Sequence, residues 1–345
     1  MDNNTFYLHH FETKSNIVRK QWKWNEYIPK VKEGKKSLPK KYHYFRRKLY
    51  NDKGKCFLVL SLRYDDMEDV FRLRINGSLR NWFFNENSIK NLTKPQYIDC
   101  NKKIAEKLGI SYEVLIKAKN TKIESGITIR LKTEYKNLLK CFVWYKNFKR
   151  VEERDTSLYF RGKFYDFILY EKNIQIKSKY RFARNKFTRA KTTEIEESYL
   201  RFEVKVKAVS GVTFYKKNAG TIEKVIENWD TIIIQIQQYF ENIKFIDMNA
   251  SEKEFNNISA SELKKYLMFK GIRENGMYKT IDLLNKINLG TNITKYRNEI
   301  FSLYQSYILS DIDLRQELLD EFVSKINSLI YNKVNISSKK NNKAT

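Results

Sequence analysis

The chain is predicted to fold as α+β, an antiparallel sheet backed by helices and followed by an all-α C-terminal domain. Three observations predict this. Apolar and polar residues alternate with period two, the pattern of half-buried strands, over residues 56–64, 70–78, 121–131, 164–172 and 199–207. An i, i+3, i+4, i+7 stripe of Ile222, Val225, Ile226, Trp229, Ile232, Ile233, Ile236, Tyr239 and Phe240 predicts one long helix over 221–240, capped by Thr221. After Asn249 the strand signal stops, and residues 259–270, 278–287, 293–307 and 311–333 read as four helices punctuated by Gly271, Gly276 and Gly290.

Composition bounds the class. At 345 residues and 41% hydrophobic the chain can bury a sizeable core. Lys and Arg number 67 against 40 Asp and Glu, a net charge of +27, which favours a polyanionic partner and most simply nucleic acid. A lysine- and asparagine-rich composition inherited from an AT-rich genome is the other reading of that charge. The 23 Tyr, 22 Phe and 5 Trp decide for function, because aromatics among cations suit unpaired bases. Cys56, Cys100 and Cys141 are odd in number and lack metal spacing, so they read as buried thiols in a reducing compartment. The first residues lack the apolar run of a signal peptide, and no stretch of 18 apolar residues occurs. The expectation is a cytoplasmic protein with no membrane partner.

Taken in order, residues 1–55 hold a short strand over 5–11 and then a basic, aromatic arm. Pro29 and Pro39 interrupt this arm and argue against a long helix. The runs 56–64 and 70–78, joined by an acidic turn, predict a hairpin. A helix follows Pro95 and stops at Gly109, and Ser111 caps another. Strand 121–131 puts Ile123, Ile127 and Ile129 on one face and Lys122 and Glu124 on the other. Strand 164–172 places Tyr165, Phe167 and Leu169 on its apolar face, with Asp166, Tyr170 and Lys172 opposite. Strand 199–207 sends Leu200, Phe202, Val204 and Val206 one way, and Arg201, Glu203, Lys205 and Lys207 the other. If these strands share a sheet, Tyr170, Lys172 and Glu203 meet on its polar surface, with Glu124 as a further contributor. The intervening segment 174–193 is a basic loop suited to a nucleic-acid backbone through Lys177, Lys179, Arg181, Arg184 and Lys186. The domains expected are an arm (1–55), a sheet domain (56–249), a helical domain (250–336) and a basic tail (337–345).

Several short pieces stand in a suggestive order. They are Gly77-Ser78-Leu79 with Asn85-Glu86-Asn87, Lys122-Ile123-Glu124, Ser157-Leu158-Tyr159-Phe160, Ile168-Leu169-Tyr170-Glu171-Lys172 and Leu200-Arg201-Phe202-Glu203. Together they resemble the replication initiators of filamentous phages and related plasmids, the gene II/X family, and the rolling-circle plasmid initiators of the Rep-trans type. The resemblance covers roughly residues 56–245 and makes 56–249 a nicking domain of the Rep/relaxase-like kind.

The resemblance implies a site-specific endonuclease that nicks one strand at an origin through a phosphotyrosine intermediate and rejoins it, driving rolling-circle replication in a bacterial host cell. Tyr170 of the Tyr-x-Lys motif is then the nucleophile and Lys172 its supporting cation. Asn85 and Asn87 fall on a DNA-contacting turn, where Asn85 replaces a glycine. The partners implied are double- and single-stranded origin DNA, with a host helicase and DNA polymerase. A phenol has a pKa near 10, so ionising it at pH 7 costs about 4 kcal/mol. An ammonium group and a divalent metal, Mg2+ or Mn2+, lower that cost. Many such initiators hold the metal on a His-hydrophobic-His pair. This chain has only His9, His10 and His43, none so arranged. Glu124 and Glu203 are therefore the substitute ligands, and whether Tyr180 is a second nucleophile is open. The alternative is a non-catalytic DNA-binding initiator or regulator, using its basic surface and a helix-turn-helix near 259–287.

Overall fold

The structure, a computed structural model, describes residues 3–9, 25–26, 42–65, 70–85, 89–132, 137–153, 156–181, 198–248, 250–253, 259–287, 292–309 and 314–331. It is α+β, with antiparallel strands and a helical C-terminal region. The chain divides into two compact units, one of residues 1–127, 204–237 and 322–345, the other of 128–203 and 238–321. Each unit is therefore built from separate stretches of chain.

In the first unit β1 (Asn3–His9), β2 (Asn25–Glu26), β3 (Tyr42–Tyr50), β4 (Phe57–Asp65), β5 (Val70–Ser78) and β6 (Lys119–Arg130, its residues from Thr128 on counted with the second unit) lie in the order β2-β3-β4-β5-β1-β6, every neighbouring pair antiparallel. The 56–64, 70–78 and 121–131 strands thus form as predicted, and the hairpin register pairs Leu60 with Ile75 and Leu62 with Leu73. β3 falls inside the stretch expected to be an arm. Only Leu49 among its last eight residues is buried, so its apolar signal was too thin to read as a strand until β4 supplied the pairing partner.

The helix after Pro95 is Lys94–Leu108, with a complete Thr93/Gln96 capping box and left-handed Gly109 at its end. Helix Leu79–Phe84 is capped by Ser78, whose Oγ accepts from Asn81 N at 3.2 Å. The predicted 221–240 helix is two helices, Ile222–Glu227 and Trp229–Glu241. Asn228 separates them at φ −102° and ψ 27°, its amide donating to the Lys224 carbonyl at 2.9 Å. The apolar stripe survives the break, and Ile222, Val225, Trp229, Ile232, Ile233 and Ile236 are all buried.

In the second unit β7 (Phe142–Trp144) precedes β8 (Lys149–Glu153), β9 (Ser157–Arg161), β10 (Tyr165–Glu171) and β11 (Tyr199–Val206, its residues from Val204 on counted with the first unit), the last four ordered β11-β10-β9-β8. Helices Ala260–Asn275, Met277–Lys286 and Ile293–Ser306 close over Val143, Trp144, Ile246, Phe269, Ile272, Met277, Phe301 and Tyr304. The fourth predicted helix is Leu314–Ile330. Gly271 lies inside the first of these helices instead of ending it. The turn of helix already secured by the Ser259/Glu262 capping box outweighs the roughly 1 kcal/mol that a helical glycine costs. Cys100 and Cys141 are buried free thiols, and burial pushes Cys141 up to about 12. Among the described residues no helix is long and apolar enough to cross a membrane.

Candidate functional site

Tyr170 sits near the end of β10, opposite Ser157 of β9. Phe167 and Leu169 are fully buried on the core side, Phe167 packing against Tyr145, Phe148, Phe202 and Tyr239 with ring centroids 4.7–5.5 Å apart. Period two then sends Tyr170 to the other face, as predicted. That face is not a solvated polar surface. Tyr170 is 6% exposed, Glu203 6%, Lys172 1% and Arg201 0%.

These buried groups form a network. The Tyr170 hydroxyl donates to Glu203 Oε1 at 2.8 Å. The same oxygen accepts from Arg201 Nε at 2.6 Å, and Arg201 Nη1 donates to Thr128 Oγ1 at 2.6 Å. Lys172 is not the last residue of a strand. It opens helix Lys172–Arg181, which takes in the first part of the segment 174–193 expected as a basic loop, and its Nζ donates to Gln175 Oε1 at 2.7 Å. The turn nevertheless leaves that ammonium 5.5 Å from the Tyr170 ring centroid. Tyr170, Lys172 and Glu203 therefore share one buried locality, as parity predicted, but the route that brings Lys172 there is helical.

The four ionisable groups comprise two cations, one carboxylate and one phenol. With the phenol neutral their charges sum to +1; with it ionised they sum to zero. Burial strengthens every such interaction. Arg201 is the member that sequence reading left out of the site. Its signal was its position two residues from Glu203 on one strand face.

The remaining predicted residues lie elsewhere or outside the described part. Glu124 belongs to the first unit, where its carboxylate faces the Lys205 ammonium at 3.8 Å. Asn85 also lies in the first unit, at the end of helix Leu79–Phe84, with φ 63°, the left-handed conformation anticipated from its replacing a glycine. Asn51 Nδ2 donates to Asn85 Oδ1 at 2.6 Å and to the Trp82 carbonyl at 3.0 Å, beside a cavity of about 200 Å3. Lys177, Lys179 and Arg181 are in helix Lys172–Arg181. Asn87, Arg184 and Lys186 lie outside the described residues, as do His10, the acidic turn after β4 and the basic tail. A cavity of about 300 Å3 beside Ser157 and Glu171 is also lined by Glu152, Asn137, Leu139 and Lys140. Among the described residues no group of three or more His, Cys, Asp or Glu is placed to hold a metal ion.

No family model matches the chain, and neither a curated protein nor a solved structure is similar to it.

Proposed function

We propose that this protein is a replication initiator that nicks one DNA strand at an origin through Tyr170, holds the 5′ phosphate as a phosphotyrosine and later rejoins the strand, so that it starts and ends rolling-circle replication of a phage or plasmid. The observation that carries the reading is the buried Tyr170–Glu203–Arg201 network with Lys172 over the tyrosine ring. The resemblance of the surrounding motifs to rolling-circle initiators, in their order along the chain, supports it.

In this reading Glu203 accepts the phenolic proton as Tyr170 Oη attacks the phosphorus. The bond to the 3′ oxygen breaks, and that oxygen takes a proton from water. Arg201 and Lys172 offset the negative charge that the phenolic oxygen gathers as it gives up its proton. A phosphodiester is exchanged for a phosphotyrosine ester, so the reverse attack by a 3′ hydroxyl reseals the strand without an added energy source. Attack requires the scissile phosphate to come within about 3–3.5 Å of the hydroxyl, so DNA binding has to open this buried cluster. A host helicase and polymerase are the partners such a primer calls for.

Glu203 and Glu124, the carboxylates expected to hold Mg2+ or Mn2+, are each already engaged. One Glu203 oxygen is shared by a guanidinium and a phenol, and Glu124 faces Lys205. None of these steps is routed through a metal.

The test is a supercoiled plasmid carrying the origin, incubated with the protein in magnesium, in manganese and in chelator. Nicked or relaxed product is expected, with a covalent protein–DNA adduct that Tyr170→Phe abolishes while origin binding stays intact. Nicking by the Phe variant at the wild-type rate removes Tyr170 as nucleophile. A second reading, a non-catalytic DNA-binding initiator or regulator, is favoured by the burial of the Tyr170 hydroxyl, which also suits a purely structural ion-pair network. Retardation of origin DNA without nicking supports that reading.

A further inference from the structure

The two faces of the β3–β4–β5 sheet differ sharply. Leu49, Leu58, Leu60, Leu62, Leu73 and Ile75 are buried on one. The register sets the other in cross-strand rows: Tyr50 beside Phe57; Lys48, Val59, Asn76; Arg46, Ser61, Arg74; and Tyr44, Arg63, Arg72. No residue of these rows is buried, and Arg46, Lys48 and Asn76 are exposed. Five cations therefore stand on one accessible face of three strands, with no acidic residue in these rows. Arg63 and Arg72 are directly opposite each other on neighbouring strands. At one end Tyr50 and Phe57 are 44% and 40% exposed, their rings 5.6 Å apart, and Lys48 Nζ lies 4.4 Å from the Phe57 centroid.

We propose that this face is a binding surface for single-stranded nucleic acid. Arginine rows one strand apart offer guanidinium forks to successive phosphates. The exposed Tyr50–Phe57 pair offers ring faces to unpaired bases, which a duplex keeps stacked inside. A broad antiparallel sheet is also a flat platform, matched to a splayed strand better than to a groove. The surface takes in neither Tyr170 nor any residue of its network.

The experiment is fluorescence anisotropy of the full-length protein with labelled oligo-dT, in chelator and over a salt series. Oligo-dT carries no origin for a site-specific nickase to cut, and binding is read without turnover, so the result stands whether or not Tyr170 is a nucleophile. The triple variant Arg63→Ala/Arg72→Ala/Arg74→Ala is expected to bind at least tenfold more weakly. Its slope of log affinity against log salt should fall by about 2, at roughly 0.7 for each single-strand phosphate left without its cation. Arg46→Ala/Lys48→Ala, at exposed positions, should lower the slope by about 1.4. Tyr50→Ala/Phe57→Ala should weaken binding by about tenfold and leave the slope unchanged, because stacking releases no counterions. Wild-type affinity and slope in both cation variants overturn the proposal. So does tighter binding of a duplex of equal length.

Discussion

Arg201 and Glu203, two residues apart on β11, face the same side of the strand and meet at 2.6 Å, with Arg201 wholly buried. Alternation alone accounts for the shared face. Burial makes the pair matter: a guanidinium inside a protein needs a counter-charge, and this one has Glu203 and the Thr128 hydroxyl.

Removing one partner should cost more than removing both. Glu203→Ala is expected to destabilise the fold by about 3–5 kcal/mol by stranding Arg201, whereas Arg201→Met/Glu203→Leu should recover most of that loss. Tyr170→Phe, which removes one hydrogen bond and keeps the ring, should cost about 1–2 kcal/mol. Urea denaturation of wild type and these variants checks the order. The same comparison separates loss of folding from loss of chemistry in any nicking assay.

Gly77 is the last residue but one of β5, just before the chain turns into helix Leu79–Phe84. Its φ is 148°, and a Cβ there would stand 2.8 Å from Leu58 Cδ2 and 3.3 Å from Leu58 Cα. Gly77→Ala should therefore lower stability by about 1–3 kcal/mol, through crowding and backbone strain together. A shift in thermal midpoint measures it.

Asn85 combines a left-handed backbone with a hydrogen bond from the Asn51 amide. Asn85→Ala should cost about 1–2 kcal/mol, and Asn85→Gly less, because glycine restores the backbone freedom and forgoes only the hydrogen bond. If Asn85 also touches DNA, both variants should weaken origin binding equally in a retardation assay despite their different stabilities.

Glu252 receives Lys270 at 2.8 Å, Arg273 at 3.1 Å and the Tyr266 hydroxyl at 3.2 Å. The Lys270 hydrogen bond above all holds its carboxyl below the usual glutamate value. A lowered folded-state pKa contributes stability that is fully present above the unfolded value and is lost as pH falls through the folded one. Glu252→Gln should accordingly be less stable than wild type at pH 7, by at most about 1 kcal/mol for this partly exposed pair. The difference should shrink towards zero in acid, below the lowered value, as chemical denaturation at several pH values will record.

Much of the fold was legible in the residues. β4, β5, β6, β10 and β11 follow from alternation, helix Lys94–Leu108 from Thr93, Pro95 and Gly109, and the C-terminal helices from their period and capping residues. Each signal is local, set by which way a side chain points or which backbone group a cap satisfies. β3 was hidden because its pairing partner, more than its own apolar content, defines it. The break at Asn228 was hidden because the apolar stripe runs through it unchanged.

For the site, sequence determined that Tyr170 and Glu203 leave the apolar faces of their strands, since period two fixes direction. Only the tertiary structure decided that the polar side is buried, that Arg201 and Thr128 complete the network and that Lys172 arrives from a helix. The same division holds for β3, β4 and β5, where alternation set arginines apart from leucines and cross-strand register alone put Arg63 opposite Arg72. Pairing between strands and burial depend on residues distant in the chain, and no local pattern carries that information.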